Sequence, residues 1–258
     1  MRFRVVIPAR YGAQRLPGKP LLEVAGRPLV EHVWRRASEA GAGSVVVATD
    51  DERIAARARA FGADVEMTAT ALASGTDRCA AVAAARGWDE DELLVNLQGD
   101  EPLMPAALVQ QVAELLVADP AAGVATLCTP LDSLAELRDP NLVKVVFALD
   151  GAALYFSRAP IPWDRDGAAA GDGRPTAFRS GYRHLGLYAY RVGALQRLSA
   201  TPPCELEQLE RLEQLRALWS GIRIRVDVAR ARPGPGVDVP EDLERVAALL
   251  RGESPAAP

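Results

Sequence analysis

Val5–Pro20 reads Val-Val-Ile-Pro-Ala-Arg-Tyr-Gly-Ala-Gln-Arg-Leu-Pro-Gly-Lys-Pro, and this stretch decides both the fold class and the candidate site. Its apolar start is typical of a buried strand, and a loop with two glycines and three cations, Arg10, Arg15 and Lys19, follows. A buried strand that opens into such a loop is how α/β sheets present a phosphate site. We therefore expect a nucleoside triphosphate here, against the alternative of a basic surface loop that binds nothing.

The loop differs from a Walker A phosphate loop in two respects. Five residues separate Gly12 from Gly18, where that motif has four, and Pro20 follows Lys19 where the motif has a serine or threonine. Pro20 also biases Lys19 away from helical geometry. ATP hydrolysis of the P-loop kind is therefore not expected.

Composition narrows the possible partners and compartments. The 258 residues are 49% hydrophobic and carry a net charge of −4, which disfavours nonspecific binding to nucleic acid. No apolar stretch approaches the roughly 20 residues that cross a bilayer. Cys79, Cys128 and Cys204 form no CxxC pair, which favours a reducing compartment and no zinc site. We expect a cytoplasmic protein without a membrane or nucleic-acid partner.

The first half of the chain alternates strand and helix patterns. Apolar strands separated by helices predict a mostly parallel sheet with helices on both faces, and ligands bind beyond the carboxyl ends of such strands. We predict strands at Arg4–Ile7, Ser44–Thr49, Asp64–Met67 and Leu93–Leu97, and helices at Pro28–Ala40, Glu52–Phe61, Asp77–Arg86 (with Thr76 as N-cap) and Ala106–Val117.

The second half changes character and predicts a mixed sheet. Two apolar runs joined by Asp150-Gly151 indicate a β-hairpin. The predicted elements are the strands Val143–Leu149, Ala153–Ser157, Leu185–Tyr190 and Ile222–Val228, a polar loop at Trp163–Gly181, and the helices Glu205–Trp219 and Glu241–Leu250. We expect one domain over residues 1–251 and a disordered tail at 252–258.

Two acidic turns are candidates for a magnesium site. Asp100 follows the strand Leu93–Leu97, and Asp238 follows the last strand and precedes the last helix. Magnesium often binds through one or two carboxylates together with substrate phosphates, so the two aspartates could face one cation. The alternatives are a capping role for Asp100 and an Asx turn for Asp238.

Polar residues of other segments could complete a pocket. Arg158, Arg183, His184 and Tyr188 lie on or near strand ends and suit a substrate with a carboxylate and hydroxyls, although each arginine could also be a solvated surface charge. The loop Ser74–Arg78 could read a base edge, or it could simply start a helix.

The helix Glu205–Trp219 carries a leucine stripe at positions 206, 209, 212, 215 and 218, which we interpret as core. Glu213 and Gln214 lie off this stripe and could point into the cleft or form an exposed polar face.

Together these motifs resemble the 3-deoxy-manno-octulosonate (Kdo) cytidylyltransferases over nearly the whole chain. Segments of the first loop and the Asp100 loop are shared with other sugar nucleotidyltransferases, whereas the later ones are more specific. The matching stretches are 7–11, 15–20, 98–102, 139–141, 154–158, 161–165, 183–186, 212–216 and 236–238. One departure is Ala13, where the family usually has a serine.

The resemblance implies a Rossmann-like nucleotidyltransferase that transfers CMP from CTP to Kdo for lipopolysaccharide synthesis. It implies a nucleotide part at about 1–130, a sugar and dimer part at about 131–251, and a homodimer. The implied CTP residues are Arg10, Arg15, Lys19, Ser74, Gly75 and Arg78. The implied magnesium ligands are Asp100 and Asp238, and with Lys19 they form the catalytic set. The implied Kdo residues are Gln98, Arg158, His184, Tyr188, Glu213 and Gln214.

Two alternatives stay open at this point. One is a cytidylyltransferase for a related acidic sugar, such as 8-amino-Kdo or a sialic acid. The other is a nucleotide-binding module without catalytic activity, which has less need of two paired carboxylates.

Overall fold

The computed structural model describes residues 2–12, 16–165 and 181–253. The strands are β1 Arg4–Ala9, β2 Glu23–Val24, β3 Arg27–Pro28, β4 Ser44–Thr49, β5 Asp64–Met67, β6 Leu93–Asn96, β7 Val124–Pro130, β8 Lys144–Phe147, β9 Ala153–Ser157, β10 Tyr182–Arg191 and β11 Ile224–Val228. The helices are α1 Leu29–Glu39, α2 Glu52–Ala60, α3 Gly75–Ala85, α4 Ala106–Ala118, α5 Leu134–Arg138, α6 Val192–Ala200, α7 Glu205–Glu210, α8 Gln214–Trp219 and α9 Pro240–Leu250.

A mixed, mostly parallel sheet forms the centre of the molecule, in the order β11-β7-β10-β6-β1-β4-β5. β1 pairs in parallel with both β4 and β6, and β4 pairs in parallel with β5. β10 is antiparallel to β6, β7 and β8, and β8 and β9 form the hairpin. The α/β fold class that the sequence predicts is therefore confirmed.

The side chains of β1 point alternately to the two faces of the sheet, and this explains why helices cover both faces. Val5 and Ile7 belong to the core that includes Val30 and Leu108 of α1 and α4, whereas Val6 belongs to the core on the α3 side. Successive side chains of a strand point to opposite faces, so an uninterrupted apolar strand must be covered on both sides. This layering leaves the strand ends, and the loops that follow them, as the place where polar side chains gather.

Five elements were missed by the sequence analysis: the two-residue strands β2 and β3, and β7, α5 and α6. β7 has the sequence Val-Ala-Thr-Leu-Cys-Thr-Pro, and its alanine and terminal proline, which are uncommon in strands, weaken the strand signal. β7 nevertheless lies between β10 and β11 and is buried over most of its length.

The predicted single helix Glu205–Trp219 is wrong. Arg211 adopts a left-handed conformation with φ 55° and separates α7 from α8. As a result the leucine stripe does not stay on one face: Leu212 is buried, but Leu206 and Leu209 are 39% and 73% exposed. The assignment of these two leucines to the core was therefore wrong as well.

The start of α3 also differs from the expectation. Ser74, not Thr76, is the N-cap, and its hydroxyl accepts a hydrogen bond from the backbone N–H of Asp77. The Asp77 carboxylate in turn accepts from the backbone N–H of Ser74, which completes a capping box. Of the predicted loop Trp163–Gly181, residues 166–180 lie outside the described residues, as do residues 254–258 of the predicted tail.

Lys144 ties the hairpin to the rest of the second half. Its side chain is fully buried, and the ammonium donates to the carbonyls of Asp139, Leu142 and Arg158 at 2.6–2.8 Å. A buried ammonium is tolerated only when its donors are used. Here three carbonyls from two separate segments share one donor group.

We predict that Lys144→Met lowers the free energy of unfolding by about 1–3 kcal/mol, because three partly buried carbonyls lose their donor while the side-chain volume is nearly kept. Urea unfolding followed by circular dichroism measures this. The control is Arg57→Met on α2, which removes a cation from an exposed position and should change stability by less than about 0.5 kcal/mol. Equal effects of the two substitutions would contradict the role assigned to Lys144.

Candidate active site

A cavity of about 190 Å³ lies at the carboxyl ends of β1 and β6. Its wall contains all the predicted CTP residues that the structure describes, and the predicted magnesium ligand Asp100 is part of the same wall. The lining residues are Pro8, Ala9, Arg10, Lys19, Pro20, Ser74, Gly75, Arg78, Gln98, Gly99 and Asp100. Arg15 and Ala13 lie outside the described residues.

The Lys19 ammonium joins the two predicted magnesium ligands. It donates to Asp100 Oδ2 at 2.7 Å and lies 3.6 Å from Asp238 Oδ1. It also donates to the carbonyl oxygen of Val237 at 2.6 Å. Residues 138 positions apart in the sequence therefore place their carboxylates around a single positive charge, as the sequence predicted.

Backbone contacts hold the two acidic turns against each other. The Val237 N–H donates to the Asp100 carbonyl at 2.9 Å. A Cβ on Gly236 would stand 3.2 Å from the same carbonyl, so the absence of a side chain permits this approach. Asp242 accepts hydrogen bonds from the backbone N–H groups of Asp238 and Val239, which orients the turn at the start of α9.

Gly99 lets the Asp100 loop reach the end of β1. A Cβ at this position would lie 2.7 Å from the carbonyl oxygen of Pro8, closer than real Cβ contacts allow. The loop after β6 is thus in backbone contact with the strand that leads into the cationic loop. This contact brings Asp100 close to Lys19.

Both arginines in the described part of this cavity bond to neighbouring segments of its wall. Arg10 donates to the carbonyls of Leu72 and Ala73, just before the N-cap Ser74. Arg78 is buried, and its guanidinium pairs with Asp50 at 3.0 Å and contacts the Thr68 hydroxyl. The contact of Arg78 with a nucleoside stays a prediction.

A second cavity, of about 180 Å³, adjoins the first through Gln98, which lines both. Four of the six predicted Kdo residues are in its wall. Its polar lining residues are Thr76, Gln98, Tyr188, Tyr190, Glu213 and Gln214. The two cavities are therefore separate but adjoin each other at Gln98.

Glu213 connects the second cavity to the start of α3. Its carboxylate accepts from the hydroxyls of Thr76 at 2.9 Å and Ser74 at 3.2 Å. Arg216 donates to it at 2.8 Å and also lies 3.2 Å from Glu207. Burial raises the pKa of Glu213, and the bonds from Thr76 and the charge of Arg216 oppose that rise.

Arg158 and His184, the other two predicted Kdo residues, are not in the wall of the second cavity, although His184 packs against the lining residue Tyr188. Arg158 donates to the carbonyls of Glu210 and Pro140. The His184 ring packs against Tyr188 with centroids 5.3 Å apart and meets the Phe156 ring edge-on at 4.9 Å. Burial lowers the pKa of His184 to about 3, so the imidazole is neutral at ordinary pH. Arg183, the remaining polar candidate, is exposed.

Sequence reasoning missed two polar residues at this edge of the sheet. Glu101 is next to Asp100, and burial together with the Asp100 charge raises the pKa of Glu101 to about 7. Asn96 is fully buried at the end of β6, and neither of its amide atoms has a hydrogen-bonding partner among the described residues. Asn96 could have been found from the sequence, because it is the only polar residue in the apolar run Leu93–Leu97.

The donor set fits magnesium better than a transition metal. Within the described ranges no group of three or more His, Cys, Asp or Glu side chains could hold a metal ion. Asp100 and Asp238 supply two carboxylates beside a cavity for phosphates, which is the arrangement that Mg²⁺ uses when substrate oxygens complete its shell. The Lys19 ammonium between them shows that this point favours positive charge.

Comparisons with known proteins identify the family to which the chain belongs. A family model described as "Cytidylyltransferase" matches residues 4–224. The fold together with this match defines a nucleotidyltransferase, and the chain belongs to the cytidylyltransferase family, among the 3-deoxy-manno-octulosonate cytidylyltransferases.

Several relatives carry that name. The one from Alkalilimnicola ehrlichii is 54% identical over 99% of this chain and 98% of its own length. The relative from Halorhodospira halophila is 55% identical over 96% and 97%. A structure of CMP:2-keto-3-deoxy-manno-octonic acid synthetase complexed with CTP is 44% identical, with a TM-score of 0.87 over 97% of this chain and 98% of the other. A cytidylyltransferase from Leptospira borgpetersenii is 14% identical, with a TM-score of 0.62 over 98% and 87%, and shares the fold.

We predict that Arg216→Met shifts the acid limb of the pH profile of kcat/KM for CTP to higher pH. Removing the cation raises the pKa of Glu213 further, so Glu213 gains a proton at higher pH and stops being a charged acceptor for Ser74 and Thr76. Initial rates between about pH 5 and 9 measure the shift.

The matched variant Arg216→Lys keeps the positive charge and should leave the limb closer to that of the unmodified protein. If the profile of Arg216→Met coincides with that of the unmodified protein, Glu213 does not govern the acid limb.

Proposed function

We propose that this protein transfers CMP from CTP to the anomeric hydroxyl of Kdo, giving CMP-Kdo and pyrophosphate for lipopolysaccharide synthesis. The observation that carries the proposal is the meeting of Lys19, Asp100 and Asp238 at the mouth of the first cavity. The adjoining second cavity and the names of the relatives supply the choice of sugar.

The first cavity is the place for CTP. Lys19 and Arg10 carry the positive charge that a triphosphate needs, and Arg15 is predicted to add to it from outside the described residues. Ser74 and Gly75 begin α3, whose backbone N–H groups favour an anion or an acceptor edge of the base. The contacts of Ser74, Gly75 and Arg78 with the nucleoside are part of the proposal.

Asp100 and Asp238 would hold Mg²⁺ beside the first cavity, whose wall contains Asp100. When bound, Mg²⁺ supplies charge neutralisation at the α-phosphate and lowers the pKa of a coordinated hydroxyl. With the ion in place, Lys19 would turn from the aspartates towards the phosphates and stabilise the charge of the departing pyrophosphate. Lys19, Asp100 and Asp238 are therefore the proposed catalytic set.

The second cavity is the place for Kdo. Gln98, Tyr188, Glu213 and Gln214 line it, and His184 packs against Tyr188. A contact of Arg158 and His184 with the sugar is part of the proposal. Because Gln98 belongs to both cavities, a sugar bound in one would present its anomeric hydroxyl towards the phosphates in the other. Phosphoryl transfer depends chiefly on such positioning and on charge neutralisation, so the reaction needs no covalent nucleophile from the chain.

A homodimer is the proposed assembly. Large apolar side chains of the second half are exposed, namely Leu149, Leu154, Leu206, Leu209 and Trp219. β9 packs against α8, and the bonds between Glu210 and Arg158 tie α7 to the end of β9, so these elements form one neighbourhood. Such an apolar surface is typical of a protein interface.

Sedimentation equilibrium should give twice the chain mass of 27.6 kDa, and Leu209→Glu should reduce it towards the single mass. A monomeric mass for the unmodified chain at micromolar concentration would remove the dimer from the proposal.

We also place the reaction in the cytoplasm, without a nucleic-acid or membrane partner. In the part of the chain that the structure describes, no helix has the length and apolarity to span a bilayer. The three cysteines are buried and unpaired, which fits a reducing compartment. Fractionation of the native host cells, with activity in the cytosolic fraction, is the expected result; activity confined to the membrane fraction would contradict it.

We predict that the protein releases pyrophosphate from CTP with Kdo and magnesium, and that Asp100→Asn lowers kcat by at least about a hundredfold while the circular dichroism spectrum is unchanged. The reason is the loss of one of two charges that hold the cation. The control Asp91→Asn changes an exposed aspartate far from the cavities and should keep full activity.

The same assay separates the alternatives. Faster release with 8-amino-Kdo or a sialic acid than with Kdo would assign a different sugar. CTP binding without magnesium dependence, and no pyrophosphate from any sugar acid, would indicate a binding module instead of an enzyme.

A further inference from the structure

Thr126 on β7 lies opposite an irregularity in the pairing of β7 with β10. The function proposed above assigns no role to Thr126. The register between β10 and β7 shifts between Leu185 and Tyr188, so Gly186 and Leu187 form a bulge. The bulge turns two carbonyl oxygens, those of Leu185 and Leu187, towards the same fully buried Thr126 hydroxyl, at 3.1 and 2.8 Å. His184 Nε2 lies 2.9 Å from that hydroxyl oxygen.

The hydrogen bonds around Thr126 allow one assignment of protons. A carbonyl oxygen can only accept, and a threonine hydroxyl has a single proton. Two oxygens 2.8 Å apart without a proton between them would repel each other, so the proton points to the bulge carbonyls. The Thr126 oxygen is then left as an acceptor, and His184 Nε2 must be the donor.

A proton on Nε2 of His184 determines the hydrogen-bonding role of the other ring nitrogen, Nδ1. A neutral imidazole with its proton on Nε2 has a lone pair on Nδ1, which can only accept. The described hydrogen bonds of the ring involve Nε2 alone. The ring itself is fixed between Phe156 and Tyr188, and Tyr188 lines the second cavity.

We propose that Thr126 is a positioning residue that locks His184 as the tautomer protonated on Nε2, so that Nδ1 accepts a hydrogen bond from a hydroxyl of the sugar. The proposal rests on the assignment of the second cavity to the sugar acid. His184 thereby recognises a hydroxyl donor on the sugar. A carboxylate has no proton to donate to Nδ1, so His184 does not serve as the counter-ion of the sugar's carboxylate.

The chain offers a clean spectroscopic test because it contains two histidines, His32 and His184. His32 Nε2 lies 2.7 Å from the Val24 carbonyl, which can only accept, so His32 is an internal reference for a ring that donates through Nε2. Nitrogen-15 NMR of the full-length protein with labelled histidine distinguishes the two neutral tautomers and the cation.

For the unmodified protein we expect both histidines to show a protonated Nε2, and His184 to stay neutral between about pH 5.5 and 8.5. Thr126→Val keeps the side-chain shape but removes the hydroxyl, so His184 should move towards the tautomer protonated on Nδ1 while the His32 signals stay unchanged. Thr126→Ser keeps the hydroxyl and should restore the spectrum of the unmodified protein.

The kinetic measurements show whether the tautomer matters for the sugar. Thr126→Val should raise the KM for Kdo roughly three- to tenfold, the range for one lost hydrogen bond between neutral groups, and leave the KM for CTP unchanged. Thr126→Ser should return the KM for Kdo to the original value. A thermal melt of each variant separates this effect from a general loss of folding, since misfolding would raise both KM values or lower the active fraction.

Three results would overturn the proposal: a proton on Nδ1 of His184 in the unmodified protein, a cationic His184 in that pH range, or a changed tautomer in Thr126→Val with no change in the KM for Kdo. A failure of the proposed function looks different. In that case the unmodified protein releases no pyrophosphate with Kdo, which removes the sugar contact, while the NMR spectrum still decides the tautomer.

Discussion

The ammonium group of Lys19 is the point on which the rest of the site depends. Three segments that are far apart in the sequence meet there: the first loop, the turn after β6 and the turn before α9. Two glycines favour the meeting, because a side chain on Gly99 would collide with the Pro8 carbonyl and one on Gly236 would crowd the Asp100 carbonyl. The packing of the sheet thus holds the carboxylates of Asp100 and Asp238, which repel each other, on either side of the Lys19 ammonium.

The second constraint joins the two cavities. Ser74 caps α3 beside the first cavity and also donates to Glu213 in the wall of the second. Gln98 lines both spaces. Hydrogen bonds between side chains therefore link the walls of the two cavities. This link supports the proposal that both substrates bind within one domain.

The sequence predicted the parallel first half well, because uninterrupted apolar strands and glycine-ended helices have a strong local signal. It also predicted that Asp100 and Asp238 meet, since both follow strands of one sheet. It failed at β7, whose alanine and terminal proline weaken the strand pattern, and at Arg211, whose left-handed backbone ends α7 without glycine or proline. Hydrogen bonds that need three-dimensional neighbours, such as those of Thr126 with the β10 bulge, have no signal along the chain.

The central claim is that Asp100 and Asp238 act together on one cation. A double-mutant cycle on kcat with CTP, Kdo and magnesium, using Asp100→Asn, Asp238→Asn and the double variant, tests it most directly. If the two carboxylates serve one ion, the double variant should be within about threefold of the slower single variant. Reductions in kcat that multiply in the double variant would show that the two aspartates act independently and would contradict the account.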